Sequence, residues 1–365
     1  MYGLLALALI LALAAEPFAK KKKKEEETQT LQLPKELPNA VVADTRRLVF
    51  QVSPLSNKGL LSQQVRDALR TLQHTAGGTV VKLRAFVAGR GDLRRVRDLV
   101  SETFTDRHQP LPVLAVVQAG GLPLEGAQVV LESVAVSRKD VNPEGLAFIA
   151  GQAASSANPL DPVPPLARQS LENLRKAVRA AGASPPDVRR VTCFLSSLDH
   201  LDQVRALFDQ EYPTAARNYV QTQRAPARAI VECEAVARLA AAPAAGLELR
   251  NPEGLEQSPN YSQVALVGAP QVVLSGTQAA FGFQDADARL ALERLDKALE
   301  SAGSSLKQTA FASFYPLSAS IALQVRKVRA EFFTPGRPPA VTMLPFEGLP
   351  SMDAGFAADV IAVKQ

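Results

Sequence analysis

The side chains best suited to nucleophilic, redox or metal chemistry are few in this chain and far apart. Two cysteines, Cys193 and Cys233, and three histidines, His74, His108 and His200, are all that 365 residues contain. Their spacing fits no Cys/His zinc pattern, and two cysteines cannot build a disulfide scaffold. No metal and no organic cofactor is expected. A single Cys193–Cys233 disulfide stays open. Both residues stand in apolar strand-like runs, VTCFLS and IVECEAV, where a free buried thiol is the expected state. The formal charge of +5 is modest, and the lysine run 20–24 is followed at once by Glu25, Glu26 and Glu27. Charge therefore gives no reason to expect a nucleic-acid partner.

The elements that must position any site come from an internal repeat. At 365 residues the chain has room for several cores, and 47% hydrophobic residues can fill them. Three times it runs through a β-rich start, an amphipathic helix closed by Ala-Gly or Gly-Gly, a strand and a second helix. Each copy then ends in two strands joined by a Pro-containing turn. The first helices are predicted at 63–78, 166–182 and 288–303. In the second of these, Leu171, Leu174, Val178 and Ala181 share one face, and Gly182 and Gly303 stand where a helix end favours a left-handed residue. Strands follow at 79–88, 188–197 and 307–316, second helices at 92–104, 199–211 and 318–333. The closing strands read VVLESVAV, IVECEAVA and AADVIAV. A period of about 100–120 residues is too long for a solenoid, so each copy should be a domain with its own core. The expected division is an apolar segment 1–15, a charged and Pro-rich linker 16–44, and copies at 45–137, 138–240 and 258–365.

The stretch LENLRKAVRAAGASPPDVRRVTCFLSSLDHLDQVRALFDQEYPTAARNYV, leading into IVECEAVA, closely resembles the core of the Rid (YjgF-type) family, once labelled endoribonuclease L-PSP. The third copy resembles it through VVLSGTQ, SAGSSLKQTAFASFY and GLPSMDAGFAADVIAV, and the first through GTVVKLRAFV and GGLPLEGAQVVLESVAV. The resemblance implies an α+β, chorismate-mutase-like fold in each copy, a sheet with two helices on one face. It implies a family trimer with ligand sites between subunits, here closed within one chain as a monomeric pseudo-trimer.

The resemblance also implies site residues. The family Arg that grips a substrate carboxylate falls on Arg217, and the Glu that handles a water or proton falls on Glu232. A guanidinium fork suits a planar carboxylate, and a carboxylate beside the bound carbon can orient water. If 214–223 and 230–239 pair as a hairpin about Ala225-Pro226, both side chains share one strand face and one cleft. Tyr219 replaces a common family Cys. The matching positions are Leu114 and Val130 in the first copy and Val341 and Ala357 in the third, which should disable two clefts. The other cleft wall, a Tyr and a Ser-Gly pair, finds candidates in Tyr261, Ser275 and Gly276. The second copy has only Ala150-Gly151 there, and the first Val52-Ser53. One competent cleft is thus expected, with Arg217, Tyr219 and Glu232 facing Tyr261, Ser275 and Gly276.

The implied reaction is hydrolytic deamination of enamines or imines of small amino-acid derivatives to 2-keto acids. The alternative is a non-catalytic small-carboxylate-binding or scaffold protein, since fold does not fix function. A ribonuclease reading finds no His pair and no basic stripe with interleaved aromatics. The first fifteen residues are too short for a stable membrane span. Their small-residue end suits a cleaved secretory signal, although no Lys or Arg precedes them. Export is the expectation, with maturation near residues 15–16; a short anchor or a different start codon are the alternatives.

Overall fold

The computed structural model describes residues 34–89 and 91–365. The apolar start and most of the charged linker lie outside them. The repeat becomes three α+β segments. The first runs β1 (Ala40–Asp44), β2 (Leu48–Val52), α1 (Leu61–Thr75), β3 (Gly78–Ala88), α2 (Leu93–Asp106), β4 (Val113–Ala119) and β5 (Val129–Ser137). The second runs β6 (Leu146–Ser156), α3 (Val163–Ala180), β7 (Val188–Leu195), α4 (Leu201–Glu211), β8 (Ala216–Gln221) and β9 (Ala229–Arg238). After a longer link holding β10 (Leu247–Arg250) come β11 (Val264–Val267), β12 (Gln271–Ser275), β13 (Gln278–Phe281) and α5 (Asp285–Glu300). The chain closes with β14 (Thr309–Pro316), α6 (Ala319–Arg329), β15 (Ala340–Met343) and β16 (Ala354–Val363). Helix ends follow the sequence signals: Gly182 at φ +75° and Gly303 at φ +82° stop α3 and α5, and the side chain of Ser318 caps α6 by accepting from the Ile321 N–H. No helix among the described residues is long and apolar enough to cross a membrane.

Three sheets repeat one order. The first is β2-β5-β3-β4, the second β10-β11-β6-β9-β7-β8, and the third β1-β12-β16-β14-β15 with β13 also on β16. The expected closing hairpin does not form. β8 pairs in parallel with β7, and β7 pairs antiparallel with β9, so β7 lies between the two strands. The reason is α4: a strand reached through a crossover helix returns parallel to the strand it left. The same holds for β3 with β4 and for β14 with β15.

Each sheet carries its own helix pair on one face. Leu171, Leu174, Val178, Val204 and Phe208 of α3 and α4 bury against Val191, Cys193 and Cys233. Equivalent cores lie under α1 and α2 and under α5 and α6. The opposite faces of all three sheets meet in two shared apolar clusters. One gathers Phe50, Phe148, Phe311 and Ile361. The other gathers Phe86, Phe194, Tyr315 and Phe346, whose rings lie 5.6–6.0 Å apart. Cys193 and Cys233, directly opposite on β7 and β9 with Cα atoms 4.1 Å apart, are joined as a disulfide. This corrects the free-thiol expectation: the strand register sets the pair side by side, which their separation of 40 residues could not reveal.

A second correction concerns the expected boundaries. Residues 40–44, read as linker, are strand β1, and it pairs with β12 of the third sheet. β11, read as the opening strand of the third copy, pairs with β6 of the second sheet. The opening strand of one segment thus completes the sheet of another, and β11 does not form a hairpin with β12. Among the described residues, the first sheet alone receives no such strand.

Candidate functional site

The register separates the expected pair. Arg217 stands opposite Val191, and Tyr219 opposite Cys193, on the helix-covered face of the second sheet. There the Arg217 guanidinium meets Asp209 of α4 at 2.6 Å and donates to the carbonyls of Tyr212 and Ala215. Tyr219 packs edge-on to Phe208 at 6.4 Å, its hydroxyl buried without a partner among the described residues. Glu232 stands opposite Phe194, on the other face, among residues that look toward the shared centre. The single-cleft expectation fails because β7 intervenes and alternation along strands sends the two side chains opposite ways.

Glu232 sits where the second and third sheets meet. It is 7% exposed. Burial, reinforced by the nearby Glu234, pushes its carboxyl up to about 8, against the pull of Arg228 and the Met343 amide N–H. Gly151, in the irregular stretch of β6 between Ile149 and Gln152, makes room for it: a methyl group there would lie 1.9 Å from Oε1. Tyr261 is half-buried, and burial, Glu256 and Glu232 together raise its phenol. β15 packs on β6, with the Ser262 N–H bonded to Pro339 O at 2.9 Å. Tyr261 and Glu232 are therefore neighbours, as expected of opposing walls. The strand that faces Glu232 carries Val341, not Arg217, at the guanidinium position.

Ser275 and Gly276 belong to a different junction, between the third and first sheets. Ser275 is fully buried; its Oγ accepts the Val360 N–H at 2.8 Å and its carbonyl accepts from Lys82 Nζ at 2.9 Å. Gly276 lets the chain pass Leu114, whose carbonyl would stand 3.2 Å from an added methyl and accepts from the Thr277 N–H at 3.2 Å. Beside it opens a cavity of about 410 Å³ lined by Leu114, Val116, Ala279, Phe281, Leu349 and Ala357, with Arg94 and Arg97 of α2 also on its wall. Leu114 lies opposite Leu83 as Arg217 lies opposite Val191, and Ala357 opposite Tyr315 as Glu232 opposite Phe194. Both expected equivalences hold, and this cleft has an apolar residue at both positions.

Sequence reading missed a buried charge layer between the two shared apolar clusters. Arg84 holds Glu132 and Glu234, both at 2.6 Å. Thr192 and Asn218 donate to Glu132 at 2.6 and 2.8 Å. Lys82 pairs with Asp359, which also accepts from Tyr315 at 2.8 Å. Burial alone would raise Glu132, yet Arg84 and Arg190 bring it down to about 2. Burial lowers Lys82 despite Asp359. The signal lay in the sequence: Glu132, Glu234 and Asp359 interrupt the three apolar closing strands at matching positions. No group of His, Cys, Asp and Glu among the described residues could hold a metal ion.

The model of the endoribonuclease L-PSP family matches residues 133–239. No curated protein matches the chain. Similar solved structures include a YjgF-family protein from Neisseria meningitidis, at 17% identity over 33% of this chain and 95% of that one, TM-score 0.25. A member of the same family from Mycobacterium tuberculosis has 23% identity over 32% and 98%, TM-score 0.24. The Rid-family protein YyfB from Yersinia pestis has 16% identity over 33% and 99%, TM-score 0.30.

Proposed function

Taking as premise that residues 133–239 are a domain of the endoribonuclease L-PSP (Rid, YjgF-type) family, we propose that the protein is a non-catalytic binding member of that family. Its three segments form a pseudo-trimer within one monomeric chain. The observation that carries this reading is the separation of Arg217 and Glu232 onto opposite faces of one sheet. At the junction that holds Glu232 the guanidinium position is Val341, and the cleft beside Gly276 has neither group.

That cleft is the ligand site of this reading. Its apolar floor suits a short aliphatic body, and Arg94 and Arg97 suit a carboxylate head. Arg94 already pairs with Asp92 at 3.2 Å, whereas Arg97 makes no ion pair among the described residues, so Arg97 is the principal anchor. The location proposed is outside the cytoplasm, supported by the cross-strand disulfide, since such bonds persist in oxidising compartments.

Two measurements test the function. The purified chain should release no ammonia from imines of small 2-amino acids faster than buffer does. Short aliphatic carboxylates titrated by calorimetry should bind once per chain, about tenfold more weakly in Arg97→Ser. Imine hydrolysis that disappears in Glu232→Gln would restore the deaminase reading, with a buried neutral carboxyl as proton donor.

A further inference from the structure

Among the described residues, the first sheet lacks what its two sisters have. In the third sheet β1 covers the outer edge of β12, with Val41 opposite Leu274 and Ala43 opposite Val272. In the second, β11 covers β6, with Ala265 opposite Phe148 and Val267 opposite Leu146. The corresponding strand of the first sheet is β2. Phe50 faces Val134 as Phe148 faces Val236 and Leu274 faces Ile361, so Leu48–Gln51 is the uncovered stretch.

Among the described residues the chain supplies no strand for it. Only residues 138–145, RKDVNPEG, connect β5 to β6, and they turn instead of extending. Asn142 donates to Leu48 O at 2.8 Å, and the N–H groups of Val141 and Asn142 go to Arg46 O. The Leu48 N–H is bonded to Thr45 O. Alternation settles the rest: the Ser53 N–H bonds Leu131 O of β5, so Val49 and Gln51 also turn inward to β5 and Phe50 turns its N–H and C=O away. They face a groove of about 880 Å³ lined by all five residues of β2 and walled by Thr214, Ala216, Arg189 and Arg238 of the second segment. Arg238 pairs with Asp187; Arg189 has no carboxylate partner among the described residues.

We propose that this groove docks an extended peptide of a partner protein, which adds to β2 as an antiparallel strand and completes the sheet. The two sister sheets define the occupant: about four residues, with a small aliphatic side chain opposite Phe50, whose N–H and C=O turn outward, and an acidic residue to meet Arg189. The second segment bounds the far side of the groove, so the proposed occupant is a single strand and not a second copy of the chain.

The test uses the full chain and the peptide NAVVADT, which copies residues 39–45. Amide hydrogen exchange should find the Phe50 N–H unprotected in the free protein and slowed about tenfold by saturating peptide, with one peptide bound per chain. N-methylation of the residue copying Val41 removes the donor that meets Phe50 and should weaken binding about tenfold; N-methylation at the next valine, whose N–H points away, should not. Equal effects of the two methyl groups, or no saturable binding, would overturn the proposal. So would a Phe50 amide already protected in the free protein and exposed on deleting residues 1–33, because the chain would then be its own occupant.

Discussion

A carboxyl group that keeps its proton at neutral pH is a thermodynamic load on the folded state. Glu232 ionises near 8 in the fold and near 4.5 when unfolded. Between these values the native state holds the proton that the unfolded state has released, so stability falls as pH rises from about 4.5 to 8 and then levels. Glu232→Gln keeps the shape and removes the titration. Thermal melts should show the variant matching the parent at pH 4 and exceeding it at pH 8.5, by on the order of 3–5 kcal/mol. Parallel pH profiles of the two proteins would show that the group is not held neutral. Gly151→Ala bears on the same contact from the other side: a methyl 1.9 Å from Oε1 must displace carboxylate or strand. It should cost about 1–3 kcal/mol in denaturant titrations, and less in a Glu232→Ala background.

At the scale of elements, the disulfide joins strands that already pair, so its contribution comes mainly from restricting the unfolded chain. Reduction, or the double change Cys193→Val and Cys233→Val, should lower stability by about 2–4 kcal/mol without altering the fold, read as a shifted midpoint with unchanged circular dichroism. Helices and long strands were legible in the sequence because apolar periodicity and the stop glycines are local signals. The partners of those strands were not. Nothing in IVECEAV says that β7, and not β8, lies beside it, and one misplaced neighbour turned Arg217 and Glu232 toward a common cleft that does not exist. The equivalences Arg217 with Leu114 and Val341, and Glu232 with Val130 and Ala357, were legible, because they needed only the repeat. β1 was lost in a charged, Pro-punctuated stretch, and β11 was read with its neighbour in sequence, not with its partner in space.

For the whole molecule, the buried layer of Lys82, Arg84, Arg190, Glu132, Glu234 and Asp359 acts across segments: Arg84 reaches Glu234 of the second and Lys82 reaches Asp359 of the third. Asp359→Ala would leave a buried ammonium without its carboxylate and should cost about 3–5 kcal/mol. Adding Lys82→Met and Tyr315→Phe to Asp359→Leu should recover most of that in equilibrium unfolding; failure to recover would assign the cost to packing. Light scattering and small-angle X-ray scattering should find a monomer with a compact profile, and an extended profile would refute the closed arrangement. The exchanged strands also impose an order of manufacture. The first sheet can close as soon as Ser137 has left the ribosome, the second must wait for β11, and the third needs the earliest of the described strands, Ala40–Asp44, to stay available until the latest, Ala354–Val363, has emerged. Loss of Ala40–Asp44 and loss of Ala354–Val363 are therefore the same injury, since both strands are woven into one sheet.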